Sequence, residues 1–327
     1  MISTDRSAAV ELLRRGEIVA LPTETVYGLA ADALNPLAVA KIFEAKERPR
    51  FDPLITHLPS RDWLGKIADL PELNRQLILQ LADRFWPGPF TIVLPKRDIV
   101  PEIVTAGLDT VAVRISGHPA FAEIVRLFGK PLAAPSANRF GRVSPTIAQH
   151  VLDELDGRIP LIIDAGPTDH GLESTIVSVR ENSIDILRRG PITAEQLSVF
   201  AKINIVTSPA LKMSVPGQMP SHYSPRTPLR LIDNAECFYP ENNQRVGLLA
   251  WHAGKLEKRF VMVRRLSERQ NLREAAANLF CYLRELDQPD LDLIVAERVP
   301  SQGLGAAILD RLERASHGQS VSPDTPE

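Results

Sequence analysis

The chain has 327 residues, of which 44% are hydrophobic and 24% are charged, and its net charge is −2. This average composition excludes a disordered acidic chain and a collagen-like chain, and the length predicts two domains because one core stops growing at roughly 250–300 residues. The charge gives no overall positive field for a nucleic-acid backbone, although a local basic patch is compatible with it. We expect no membrane span and no signal peptide, since no apolar run has the required length.

Residues 1–203 alternate between the helical and the strand period, which predicts one mixed α/β unit. Asn35 followed by Pro36 is typical of a helix start, because asparagine caps the first amides and proline fits the first turn. Thr193 and Gln196 complete a capping box that opens the closing helix of the unit. Helices are predicted at 7–15, 36–47, 71–85, 119–128 and 147–155, and strands at 17–21, 91–94, 110–115, 132–134, 161–164, 175–179 and 184–187.

The segment 204–228 is rich in proline and has little periodic pattern, which predicts a linker. It carries Met219, His222 and Tyr223 rather than glycine and serine, so we expect it to dock onto another part of the protein. Residues 229–316 are predicted as a small α/β unit, and 317–327 as a disordered tail. Strands are predicted there at 229–232, 246–250, 261–263 and 293–296, and helices at 271–286 and 306–314.

Familiar catalytic motifs are missing from the sequence. It contains no GxxxxGK[ST], HExxH, paired CxxC or GxSxG pattern, which argues against a P-loop NTPase, a metalloprotease, a zinc finger and an α/β-hydrolase. Gly303 and Gly305 precede the last helix, where a close helix–strand contact is favoured over a cofactor loop. Cys237 and Cys281 form no redox motif, so we expect two reduced, buried thiols in a cytoplasmic protein.

Rigid polar turns flank several predicted strands, in the position where open α/β folds bind ligands. A purely structural role is an alternative to ligand binding in these segments. The structural alternatives are a hydrogen-bonded turn at 22–28, solvated charges at 46–54, and a buried ion pair for Arg114. Alternation places Thr110, Ala112 and Arg114 on one strand face. The turns and strand ends occupy 22–28, 46–54, 110–114, 134–146, 171–175 and 187–191.

These segments contain hydroxyl groups and cationic side chains, and they contain neither a catalytic cysteine nor a metal-binding cluster. Such groups suit a nucleotide together with a small polar acid, with catalysis by positioning and charge stabilisation. Many of the prolines in the chain fall inside these segments, and they stiffen the backbone that would hold the charges.

Taken in order, these segments resemble the YrdC-like threonylcarbamoyl-AMP synthase family in its two-domain form. The resemblance implies a fold with a YrdC-like twisted mixed sheet around a concave positive cavity, a linker that closes over it, and a smaller Rossmann-like α/β C-terminal domain. The matching segments are PTETVYGL (22–29), KERPRFDPL (46–54), FWPGPFTIVL (85–94), TVAVRI (110–115), APSANRFGRVSPT (134–146), GLESTIVSV (171–179), LRRGPIT (187–193) and PGQMPSHYSP (216–225).

The resemblance also implies a reaction, in which L-threonine, bicarbonate and ATP give threonylcarbamoyl-AMP and pyrophosphate. A downstream complex then transfers the threonylcarbamoyl group to an adenosine next to the anticodon of tRNA. Mg²⁺ is expected to arrive with ATP and to bridge phosphate oxygens with few or no protein ligands. No membrane partner is expected, and weak RNA binding is compatible with this assignment.

The resemblance assigns the candidate site residues position by position. Lys46, Arg48 and Arg114 are expected to be catalytic. Asp52 stands where the motif commonly has asparagine, and its carboxylate would repel a triphosphate unless Mg²⁺ or Arg50 intervenes. The expected threonine contacts are Thr25, His57, Arg114, Ala134 and Ser174, and the expected nucleotide contacts are Lys46, Arg48, Asp52, Thr110, Ser136, Asn138, Ser144, Arg188 and Tyr223.

Two other functions compete with this reading. The first is a binding module of the same fold that holds RNA or a nucleotide without catalysis, against which the net charge of −2 argues. The second is a carbamoyltransferase maturation factor. That class needs acylphosphatase and zinc-finger segments, for which the chain has no cysteine pattern.

Overall fold

The computed structural model describes residues 1–181, 183–206, 215, 223–241, 243–252 and 259–317. The chain divides into two compact units. The first unit comprises Met1–Phe140 and Ser144–Gln218, and the second comprises Gly141–Val143 and Met219–Glu327. Met219, His222 and most of the predicted tail lie outside the described residues, and the domain limits stay a prediction.

The first unit is built on a mixed sheet, which has eleven strands within the described ranges. Its strand order is β1-β8-β2-β3-β7-β4-β6-β5-β9-β10-β11. The strands are β1 (Ile2–Ser3), β2 (Val19–Leu21), β3 (Gly28–Asp32), β4 (Ile55–His57), β5 (Phe90–Pro95), β6 (Thr110–Arg114), β7 (Leu132–Ala133), β8 (Leu161–Ile163), β9 (Thr175–Arg180), β10 (Ser183–Arg188) and β11 (Lys202–Ile205).

Helices of the first unit begin where the sequence supplies caps. The Asn35 side chain accepts hydrogen bonds from the amides of Leu37 and Ala38, and Thr193 with Gln196 forms the predicted capping box. The helices are α1 (Arg6–Arg14), α2 (Pro36–Lys46), α3 (Leu64–Ile67), α4 (Arg75–Phe85), α5 (Glu102–Thr105), α6 (Pro119–Phe128), α7 (Ala148–Leu155) and α8 (Ala194–Leu197).

Successive side chains of a strand point to opposite faces of the sheet, and in β6 only one of these faces packs into the main core. In β6, Val111 and Val113 enter the main hydrophobic core, whereas Ala112 belongs to a small cluster on the opposite face. This confirms the predicted alternation, so Thr110 and Arg114 share the face of Ala112. Buried Val215 belongs to the same small cluster, which also contains Ile55, Ile176 and Leu187.

The second unit contains a parallel sheet with the order β12-β15-β13-β14. Its strands are β12 (Leu229–Ile232), β13 (Val246–Ala250), β14 (Met262–Arg265) and β15 (Leu293–Glu297), and its helices are α9 (Leu272–Leu286) and α10 (Leu304–Ser316). A Cβ on Gly305 would lie 1.7 Å from the Pro300 carbonyl oxygen, so this glycine serves a close backbone approach. The two sheets confirm the predicted α/β class.

Several local predictions were wrong or incomplete. Four strands, β1, β3, β4 and β11, were not predicted. The strand β3 consists mostly of small residues, and β1 and β4 have two and three residues. The strand β11 extends to Ile205, two residues into the predicted linker. Cys237 is exposed and Cys281 is half-buried, so neither is the buried apolar residue that was predicted. Within the described ranges, no helix has both the length and the apolarity needed to cross a bilayer.

Candidate active site

The candidate residues gather at one edge of the sheet in the first unit. At this edge β4, β6 and β10 end while β5 and β9 begin, because β4 is parallel to β6 and antiparallel pairing links β5 to β6 and β9 to β10. His57 lies directly opposite Arg114, and Arg188 lies opposite Ile176. Ser174 precedes β9. Strands from distant parts of the chain therefore deliver these side chains to one place.

Arg114 is the centre of a buried hydrogen-bonded cluster. Its Nη2 donates to Glu24 Oε1 at 2.7 Å and to Thr25 Oγ1 at 3.1 Å, and its Nε donates to the Gly88 carbonyl oxygen at 3.1 Å. Arg114 and Glu24 are 3% and 6% exposed. The buried ion pair that the sequence left open as one explanation for Arg114 is therefore present, and it fixes the orientation of the guanidinium.

Glu24 is held as a carboxylate. Its Oε2 accepts a hydrogen bond from Ser116 Oγ at 2.5 Å. Burial by itself raises the pKa of Glu24, but the Arg114 guanidinium and the Ser116 hydroxyl outweigh it and lower the pKa to about 2. Glu24 is consequently negative at neutral pH, and its charge balances that of Arg114.

His57 is a neutral imidazole beside this ion pair. Burial, followed by the nearby charge of Arg114, lowers the pKa of His57 to about 3. The ring packs on Phe121 with 4.7 Å between centroids, and it has a hydrogen bond to the Ala134 backbone. Nδ1 is buried without a hydrogen-bond partner among the described residues. The expected threonine contacts Thr25, His57 and Arg114 thus lie together.

Ser174 joins two strands of the site. Its Oγ is 2.8 Å from Thr91 Oγ1, and it accepts a hydrogen bond from Arg188 Nη2 at 3.0 Å. Arg188 Nε also donates to the Ser174 carbonyl oxygen at 3.1 Å. The pairing of β10 shifts its register between Ile186 and Arg188, a local irregularity of the kind that redirects side chains near active sites.

Lys46 anchors the segment 134–146 from the end of α2. Its Nζ donates to the carbonyl oxygen of Ser136 at 2.6 Å and to that of Asn138. Burial, with a contribution from the Arg48 charge, lowers the pKa of Lys46 well below its usual value. Lys46, Ser136 and Asn138, all expected nucleotide contacts, are therefore brought together, with the lysine bound to the backbone carbonyls of the other two.

Arg48 and Asp52 form a second buried ion pair. Arg48 Nη2 lies 2.8 Å from Asp52 Oδ2 and donates to the Pro53 carbonyl oxygen at 2.9 Å. Burial raises the pKa of Asp52, and the charges of Arg48, Lys46 and Arg188 oppose this increase. The cation that offsets Asp52 is Arg48, rather than the Arg50 considered from the sequence.

The remaining expected nucleotide contacts occupy different positions. Ser144 Oγ donates to Glu173 Oε1 at 2.5 Å. Thr110 begins β6 opposite Pro95, so four residues of strand, roughly 13 Å, separate it from Arg114. Tyr223 belongs to the second unit, where it is fully buried, stacks on Phe280 at 5.4 Å and lies beneath the Arg311 guanidinium at 5.1 Å.

Sequence reasoning missed Glu24, Ser116 and Thr91 as members of the site. One signal for Glu24 was available, because a buried arginine in an apolar strand requires an acidic partner and Glu24 lies in a highlighted turn. The serine and threonine carry no comparable signal, since such hydroxyls are common. Among the described residues, no group of three or more His, Cys, Asp and Glu side chains could hold a metal ion.

Comparison with known proteins matches nearly the whole chain. A family profile described as telomere recombination matches residues 11–190, and a profile for the C-terminal domain of threonylcarbamoyl-AMP synthase matches residues 192–317. The threonylcarbamoyl-AMP synthase of Bacillus subtilis is 40% identical over 327 residues, covering 96% of this chain and 93% of that protein. The synthase of Vibrio cholerae is 34% identical over 182 residues, covering 56% of this chain and 95% of that protein.

A solved structure is similar over nearly the same length. The crystal structure of Pyrococcus abyssi Sua5 complexed with L-threonine matches with a TM-score of 0.84 and 36% sequence identity. The match covers 96% of this chain and 94% of that one. Both units of the present chain therefore have counterparts in a single known protein.

Proposed function

Because the chain belongs to the threonylcarbamoyl-AMP synthase family, we propose that it makes threonylcarbamoyl-AMP and pyrophosphate from L-threonine, bicarbonate and ATP. The observation that carries this proposal is the arrangement at the sheet edge. A fixed guanidinium, Arg114, lies beside a neutral imidazole and hydroxyls. Lys46, Arg48 and Arg188 form a second group around Asp52, and Arg188 connects the two groups through its hydrogen bonds to Ser174. The first group suits an amino acid, and the second suits a polyphosphate.

On the threonine side, Arg114 binds the substrate carboxylate, and Thr25, Ala134 and Ser174 line the same place. His57 stays neutral and positions the amino acid rather than acting as a base, since its pKa is about 3. The threonine ammonium first loses a proton to solvent. The lone pair of the free amine then forms the N–C bond with CO₂, which bicarbonate supplies as it takes up a proton and releases water, and a second proton leaves the nitrogen. The product of this step is an N-carboxylate.

On the nucleotide side, the N-carboxylate attacks the α-phosphorus of ATP in line, one new P–O bond forms, and pyrophosphate leaves with the electrons of the broken bond. Lys46, Arg48 and Arg188 stabilise the negative charge that develops on the phosphates. The residues expected to orient ATP are Thr110, Ser136, Asn138, Ser144 and Tyr223. The protein would then act as a nucleotidyltransferase.

Mg²⁺ would enter with ATP. Mg²⁺ typically binds through one or two carboxylates together with substrate phosphates and water. Asp52 provides a buried carboxylate beside Arg48, so the residues present suit an ion held mainly by ATP. Bound there, the ion would offset phosphate charge that Asp52 would otherwise repel.

The test is release of pyrophosphate by the pure protein. We expect release with ATP, L-threonine and bicarbonate together, and loss of release when threonine or bicarbonate is omitted. A rate that is unchanged without threonine would refute the proposal. Salt-dependent RNA binding without any pyrophosphate release would instead favour the binding module.

The place of this reaction in the cell is part of the proposal. The mixed anhydride product is reactive, so a second activity that transfers the threonylcarbamoyl group to tRNA must consume it. Cys237 and Cys281 are unpaired, which supports the cytoplasmic location expected from the sequence.

A further inference from the structure

Two of the three guanidinium nitrogens of Arg114 have hydrogen-bond acceptors among the described residues. Nε and Nη2 donate to Gly88, Glu24 and Thr25, whereas no described residue accepts a hydrogen bond from Nη1. A guanidinium held at two nitrogens keeps its third nitrogen in a fixed direction. Nη1 is therefore the group that is left to receive a ligand carboxylate.

Arg114, Glu24 and His57 together carry no net charge. Arg114 is positive, Glu24 is negative, and His57 is neutral. The other polar groups in contact with this pair are the hydroxyls of Thr25 and Ser116 and the Gly88 carbonyl. A ligand that adds a single charge here leaves that charge unbalanced in a buried environment, which is costly.

We propose that Glu24 is a specificity-determining residue that selects an α-amino acid with a free ammonium group. The inference rests on the proposed function, in which Arg114 takes the substrate carboxylate. A carboxylate on Arg114 Nη1 adds one negative charge to a balanced pair, and an ammonium on the same substrate restores the balance. The charge balance at Arg114 and Glu24 therefore favours a zwitterion over a simple hydroxy acid.

Chemistry at Glu24 is consistent with binding rather than proton transfer. Arg114 and Ser116 keep the pKa of Glu24 at about 2, so the carboxylate is a very weak base. It can hold an ammonium group by charge, but it does not take the proton from it. Without Glu24, Arg114 would be a lone buried cation, and such a site would favour any small carboxylate.

The experiment compares two ligands on the full chain by calorimetry. L-Threonine is a zwitterion, and 3-hydroxybutyrate is threonine without its amino group. We expect the wild-type protein to bind threonine at least about 30-fold more tightly, as for a buried charge pair. Glu24→Gln keeps the size and one acceptor but removes the charge, and it should reduce this ratio by about 30-fold. Equal affinities in the wild type, or an unchanged ratio in the variant, would overturn the proposal.

Two further variants separate charge from structure. Glu173→Gln alters another buried carboxylate that accepts a 2.5 Å hydrogen bond from a serine, Ser144, and it should leave the ratio unchanged. Arg114→Gln leaves Glu24 as the charge, so the preference should turn toward threoninamide, a cation without a carboxylate. If Glu24→Gln does not fold, two measurements still test the role of Glu24. They are the ratio of the two ligand affinities in the wild type and the preference of Arg114→Gln for threoninamide.

The outcome also distinguishes this inference from the proposed function. A wild-type protein that releases pyrophosphate in the presence of threonine, combined with an unchanged ratio in Glu24→Gln, refutes only the role of Glu24. A wild-type protein that neither binds threonine nor releases pyrophosphate refutes the proposed function.

Discussion

Gly190 packs closely against the backbone on either side of Ser174, and its replacement tests whether this packing positions the site. It follows Arg188 by two residues, and a Cβ at this position would lie 2.5 Å from both the Glu173 carbonyl oxygen and the Thr175 amide nitrogen. Ile192 and Thr175 also exchange hydrogen bonds through the threonine hydroxyl, so the two segments cannot separate freely. Gly190→Ala therefore forces the backbone on either side of Ser174 to move.

The size of the effect follows from these distances. Ordinary contact begins at 3.4 Å, so the backbone must move by about 0.9 Å. Overpacking of this kind costs about 1–3 kcal/mol, and each kcal/mol lowers the thermal midpoint by roughly 2–4 °C in a unit of this size. A displacement near 1 Å at a positioning residue reduces turnover by on the order of 100-fold.

Thermal unfolding and pyrophosphate release measure the two effects of Gly190→Ala separately. Gly65→Ala is the matched control, because Gly65 lies in α3 and a Cβ there meets no atom within 4 Å. We expect the control to keep the wild-type activity and midpoint, or to gain slight stability through helix propensity. Wild-type stability and activity in Gly190→Ala would refute the reasoning.

Three other predictions test individual residues. Arg48→Ala should abolish pyrophosphate release and lower the free energy of unfolding by about 3–5 kcal/mol, because it removes the cation that pairs directly with buried Asp52 and leaves only the more distant charges of Lys46 and Arg188. Adding Asp52→Asn should restore stability but not activity, and full stability of the single variant would contradict this prediction. The free energy of unfolding should fall as the pH decreases from 6.5 to about 3, because unfolded His57 takes up a proton that the buried imidazole refuses. The pH-dependent loss of unfolding free energy is on the order of 5 kcal/mol. Urea titrations at several pH values should show that His57→Gln removes this pH dependence. The same pH dependence in the variant as in the wild type would contradict the prediction. Tyr223→Ala should weaken ATP binding more than threonine binding in calorimetry, and equal ATP affinity would exclude a role for Tyr223 in nucleotide binding.

Long periodic elements were predictable because their signals are local. The helix Pro119–Phe128 and the strands Leu229–Ile232 and Val246–Ala250 have the predicted limits. Proline at the first helical position marks the first of these, and apolar runs mark the two strands. The short strand Ile55–His57 could not be predicted in the same way. It lacks the apolar run that marks the equally short strands β2 and β8, and pairing with β6 and β7 defines it.

Within the site, the sequence determined which groups are present and on which strand face Arg114 lies. Side-chain alternation is a local property, so Thr110, Ala112 and Arg114 shared a face before any tertiary contact was known. Only the tertiary structure decided that Glu24, 90 residues away in the chain, is the partner of Arg114, and that Lys46 binds carbonyls from the segment 134–146. A buried charge must find a partner somewhere in the fold, but its identity depends on which strands pair and in which register, and that is set by the packing of the whole unit.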